Sequence, residues 1–213
     1  SKPPGHPVPS TGKPMPNPPV AMLTAPPLLW CPDLTPGGVD YHVAFRAEFR
    51  LAAAGEVEFQ LLGATWFNGW INGAWFCEGP ARFTAAFPEY QTFTVPLPAG
   101  RHVLALHVNH VGVTTRSLQV MDPFVACTAR CAGRPLGLKW KCHRLDAYAS
   151  QVRLVNSQLG FIEWCDTRKL PRWQAAAFDD SSWAEPVLVT RPLGASKPLG
   201  CANPKTLPHQ PAL

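Results

Sequence analysis

Three tryptophans, Trp66, Trp70 and Trp75, crowd the stretch TWFNGWINGAWFCEGPAR at residues 65–82. Flat indole faces stack on the C–H face of a pyranose, and Asn72 and Arg82 in the same stretch supply polar partners for sugar hydroxyls. Carbohydrate is therefore the first ligand class that the residue types suggest. The same three rings also suit the core of a small β-sandwich, since large aromatic side chains dominate such cores. Paired carboxylates are the other candidate chemistry, because glycoside hydrolysis needs one as acid and one as base or nucleophile. Glu163 and Asp166 stand beside Arg168, and Asp179-Asp180 precede Ser181-Ser182-Trp183. Asp-Asp-Ser-Ser is turn and cap material, and a carboxylate beside Arg168 is an ion pair, so no catalytic residue is assigned.

Cysteine and histidine offer metal chemistry. Cys127, Cys131, Cys142 and His143 could give a tetrahedral Zn²⁺ three thiolates and an imidazole, which defines an alternative reading as a small metal-dependent protein. Their spacing fits no ribbon or finger, and the expectation is free thiols with no metal and no cofactor. His107 and His110 point to opposite faces of a strand, so their closeness in sequence defines no shared ion.

The elements that must carry these groups are β-strands. Asn-Gly between apolar runs is a strong hairpin signal, because a type I′ turn needs positive φ at both central residues. Residues 41–51, YHVAFRAEFRL, alternate apolar and mainly polar side chains and predict a half-buried strand, and residues 56–62 repeat the pattern. Residues 90–97 and 101–111 flank a Pro-Ala-Gly turn and predict an antiparallel pair. Shorter strands are expected over 114–120, 124–130, 138–143 and 151–155. No sustained helical period occurs, so the architecture expected is all-β, an antiparallel β-sandwich or jelly roll.

Composition limits the remaining classes. Ten of the 25 prolines fall in residues 1–29 and six in residues 186–213, so both ends read as Pro-rich linkers around a globular part over 30–185. The net charge of +5 comes from scattered Lys and Arg, which argues against a nucleic-acid or membrane partner. No apolar run is long enough to cross a bilayer. Seven cysteines, an odd number, argue against a closed disulfide framework. The chain opens on Ser and the compartment stays open between cytoplasm and export.

The ordered pieces of this sequence resemble the N-terminal β-domains of bacterial α-L-rhamnosidases and related glycoside hydrolases. They are Trp30-Cys31-Pro32, Phe45-Arg46-Ala47-Glu48-Phe49, Ile71-Asn72-Gly73, Gly79-Pro80-Ala81-Arg82, Tyr90, the Gly100 turn before VLALHV and Trp140-Lys141. The Glu163, Asp166 and Arg168 cluster follows, and then Trp173 and Phe178-Asp179-Asp180-Ser181-Ser182-Trp183. The resemblance implies a noncatalytic jelly-roll (galactose-binding-domain-like) accessory domain over 30–185. Residues 186–213 would be a strap toward a catalytic domain of the same polypeptide, which carries the family's acid and base outside this sequence. The expected partners are that domain and carbohydrate. A purely structural interdomain module without ligand is the alternative. Asn68-Gly69 is an extra Asn-Gly relative to the family and could shift register or enlarge the aromatic surface.

Overall fold

The computed structural model describes residues 26–34, 37–116, 119–156, 158–194 and 197–198. The strands, in chain order, are β1 (Leu29–Trp30), β2 (Tyr41–Leu51), β3 (Gly55–Ala64), β4 (Trp66–Ile71), β5 (Ala74–Gly79), β6 (Glu89–Leu97) and β7 (Gly100–His110). They continue with β8 (Phe124–Cys131), β9 (Arg134–Pro135), β10 (Lys139–Arg144), β11 (Leu154–Asn156), β12 (Gly160–Phe161), β13 (Val187–Leu188) and β14 (Lys197–Pro198). One sheet has the order β13-β1-β8-β3-β6-β14 with β9 attached to β8; the facing sheet has the order β10-β2-β7-β4-β5; β11 and β12 form a separate hairpin. The main ladders are antiparallel, and the short β14–β6 pairing is parallel. The fold is an antiparallel β-sandwich.

Period-two alternation builds the core. On β2, Val43, Phe45, Ala47, Phe49 and Leu51 turn inward, and they meet Val57, Phe59 and Leu61 of β3, Phe67 of β4 and Leu104, Leu106 and Val108 of β7. Alternation on paired strands gives each sheet one apolar face, and removing those faces from water is the main stabilising term.

The Asn72-Gly73 pair makes the expected turn, with φ of 52° and 87° at its two residues. Asn68-Gly69 makes none. It lies within β4, where the β4–β5 register shifts between Gly69 and Trp70. A Cβ at Gly69 would sit 2.5 Å from the Cys77 sulfur, so packing against β5 requires glycine there.

Three expectations are corrected. Residues 90–97 and 101–111 do not pair: β6 lies in the sheet with β3, whereas β7 crosses to the other sheet between β2 and β4. Gly100, at φ 129°, provides a backbone conformation suited to that corner. No strand forms at 114–116 or 119–120. The polar face of β2 is also only partly solvated, because His42 and Arg46 are buried while Glu48 and Arg50 stay exposed. Of the expected linkers, residues 1–25 and 199–213 lie outside the described residues, while Val187–Leu188 pairs with Leu29–Trp30 at a sheet edge.

Candidate functional site

The outer face of the five-stranded sheet is roofed by the segment after β10. Ala44 and Ala105 leave a shallow floor there, on which Trp173 and Trp183 pack together with Leu145. Small side chains on a strand allow this close approach, as a longer side chain would hold the roof off.

Arg46 fastens the roof. Its Nε donates to Asp180 Oδ2 at 2.6 Å, Nη1 donates to the carbonyls of Trp173 and Ala175, and Nη2 donates to that of Phe178. The guanidinium also lies 5.3 Å from the Phe178 ring centre. A cation only 1% exposed is tolerated because a carboxylate and carbonyl oxygens replace its lost hydration. Asp179 is the turn carboxylate expected from the sequence, accepting from the Ser181 N–H at 3.0 Å, and Asp166 forms the expected ion pair with Arg168 at 2.8 Å.

Beside Arg46 lies an imidazole pair, His42 buried and His107 half-buried. His42 Nδ1 is 3.0 Å from His107 Nε2, and His42 stacks on Tyr148 with ring centres 4.1 Å apart. The Asn109 amide nitrogen stands 3.1 Å from His42 Nε2 and can only donate. That leaves the His42 proton on Nδ1, directed to His107. Burial pulls His42 down to about 4 and His107 down to about 3, with the neighbouring His42 adding to the second shift. Both rings are neutral at pH 7. Asp40, 3.7 Å from His42, is shifted upward by burial.

Between the roof and the β4–β5 edge opens a cleft of about 800 Å³. Trp66, Asn68 and Trp70 line it from β4, Glu78 and Gly79 from β5, and Gln91 from β6. His107 and Asn109 line it from β7, and Tyr148, Glu163, Trp173 and Gln174 from the roof. Trp66 is 42% exposed, whereas Trp70 is half-buried with its ring centre 5.8 Å from that of Trp173. An aromatic platform beside amide, phenol and carboxylate groups can stack a ring and hydrogen-bond its hydroxyls.

The sequence-predicted residues divide. Trp66 and Trp70 meet in the cleft. Trp75 pairs across from Trp70 and is 57% exposed, but it does not line the cleft. Asn72 is engaged by the neighbouring strand β7: its side-chain carbonyl accepts from the Val103 N–H and its side-chain amide meets His102. Arg82 lines a different hollow with Phe83 and Met121. Sequence reasoning missed Asn68, Asn109, Gln91, Tyr148 and Gln174. Strand register could have found the first two, which stand across from His107 and Trp66; nothing local points to the others.

The proposed zinc set does not converge. Cys127 and Cys142 enter the core from opposite sheets, and His143, on the other face of its strand, stacks on Trp183 at 5.2 Å. Cys142 instead hydrogen-bonds to Cys31, which together with burial pushes its thiol up. Among the described residues no three His, Cys, Asp or Glu side chains are placed to hold a metal ion. No helix among them is long and apolar enough to cross a membrane.

The fold defines an antiparallel β-sandwich domain. The sequence matches no family profile, and no curated protein matches it. In structure the chain is similar to a GH78 family rhamnosidase of Bacillus sp. GL1, with TM-score 0.75 and 22% identity over 81% of this chain and 19% of that one. It is similar to the α-L-rhamnosidase of Dictyoglumus thermophilum, with TM-score 0.57 and 16% identity over 82% of this chain and 22% of that one. A Pleurotus ostreatus lectin, solved in complex with GalNAc, aligns with TM-score 0.54 and 13% identity over 79% of this chain and 44% of that one. This chain thus spans about a fifth of each rhamnosidase chain.

Proposed function

We propose that this β-sandwich is a noncatalytic accessory domain of an α-L-rhamnosidase-like glycoside hydrolase and holds carbohydrate in the cleft beside Trp66. The observation that carries the reading is the cleft itself, where the partly exposed Trp66 stands among amide and carboxylate side chains. The likeness to rhamnosidase chains supports the accessory role, and the likeness to a lectin supports sugar contact.

A titration of the chain with L-rhamnose-containing and other polysaccharides, followed by tryptophan fluorescence with hydrolysis products assayed in the same tubes, tests it. Saturable quenching without product is the expected outcome. Trp66→Ala should weaken binding about tenfold, equivalent to about 1.4 kcal/mol, with folding intact. Unchanged affinity in that variant would remove the cleft from the function, and released sugar would overturn the noncatalytic reading.

A second observation favours packing against a catalytic domain of the same polypeptide. Around the β11–β12 hairpin, Val152, Leu154, Val155, Leu159, Ile162 and Trp164 are all exposed. Such a concentration of apolar surface marks an interface. If this structural role is the whole function, the isolated chain self-associates through the hairpin and binds no sugar. Charged substitutions at Leu159 and Trp164 then restore the monomer in sedimentation.

A further inference from the structure

The cleft is acidic in a chain whose net charge is +5. Glu78 on β5 and Glu163 on the roof line it, and among the described residues no Lys or Arg does. Neither carboxylate is ion-paired among the described residues. His107 adds no positive charge, because burial keeps its ring neutral at pH 7. A cleft lined by one sign of charge concentrates that field and disfavours ligands of the same sign.

An ionised carboxylate on a ligand in the cleft meets the charges of Glu78 and Glu163, whereas a hydroxyl group can both accept and donate and carries no charge to be repelled.

From this we infer that the cleft selects uncharged pyranoses and rejects uronates, with Glu78 and Glu163 as the specificity-determining residues. The inference rests on the carbohydrate reading of the cleft. Its specific content is the sign of the discrimination and the residues that set it.

Matched sugar pairs test it, titrated into the whole chain at low salt with tryptophan fluorescence as readout. The pairs are the methyl glycosides of L-rhamnose and L-mannuronate, galactose and galacturonate, and glucose and glucuronate. Whichever neutral sugar binds should do so about tenfold more tightly than its uronate, the scale expected of two exposed like charges a few ångströms away. The gap should narrow in 0.5 M salt, where exposed charges are screened. In the Glu78→Gln/Glu163→Gln double variant it should fall to within about twofold. A uronate that binds as well as its neutral partner, or a gap that the double variant leaves unchanged, overturns the inference while sugar binding stands. Absence of binding by every member of the panel overturns the carbohydrate reading and this inference with it.

Discussion

The outer faces of the two sheets began from similar sequence patterns and met different fates. On the seven-stranded sheet, Glu58, Gln60, Thr128 and Arg130 form a partly exposed polar strip, held by hydrogen bonds such as Gln60 to Glu58 at 3.0 Å. Nearer the other end of that face, Leu62, Ala64, Phe124 and Ala126 lie under Tyr90, Met121 and Val189. On the five-stranded sheet, His42, Arg46 and His107 lie under a tryptophan-rich roof. The difference teaches that a polar residue on an alternating strand is a surface group only when nothing later in the chain covers it. Where something does, the same residue becomes an anchor whose loss is costly.

The largest test of this contrast is a pair of arginine truncations. Arg46→Ala should cost about 3–5 kcal/mol, because it strands Asp180 and the roof carbonyls. Arg130→Ala on the other sheet should stay within about 0.5 kcal/mol. Urea denaturation of both variants checks the prediction, and equal losses would erase the distinction between the faces.

Acid should act on the roofed face next. The folded-state values of His42 and His107 lie below the ordinary histidine value, so the unfolded chain takes up protons first. Their contribution is fully present above about pH 6.5 and is lost as pH falls toward 4, with a limiting slope of about 1.4 kcal/mol per pH unit for each ring. The urea midpoint should therefore drop between pH 7 and 5, and less steeply in His107→Gln. Buried His110, also pulled down to about 4, contributes in the same direction from the inner face and remains as background.

A smaller effect should follow from filling the floor. Ala105→Leu pushes against Trp173 and should cost about 1–3 kcal/mol, whereas Thr128→Leu on the open strip should change stability by about 0.5 kcal/mol or less. Thermal melts of the two variants side by side decide it.

Most strands were legible because alternation and turn chemistry are local. The Asn72-Gly73 hairpin and the inward set of β2 needed nothing beyond neighbouring residues. The β6–β7 corner was not legible, since a Pro-Ala-Gly turn between two alternating strands reads alike whether the chain folds back in one sheet or crosses to the other. Arg46 failed for a similar reason: its partners are 127–134 residues away. In the cleft, Trp66 and Trp70 announced themselves by type, while Gln91, Tyr148 and Gln174 arrive from segments that meet only in three dimensions. That the Asn72 side chain bonds Val103 and His102 was not legible either, since those partners lie about thirty residues on.

The grip of the buried Arg46 guanidinium on the roof, to which the exposed Arg101 adds a bond to the Ala176 carbonyl, has a consequence for how such a cleft can diversify. Tyr148 and Glu163 lie in chain between β10 and the anchored carbonyls, in a stretch that belongs to neither main sheet. Residues may be added or removed there while Arg46 continues to grip the same oxygens, much as a hinged panel can be recut while its bolt stays in place. Connecting segments tolerate such changes better than paired strands do. Across relatives of this architecture, ligand preference should drift with the length of that stretch while the sandwich beneath stays constant.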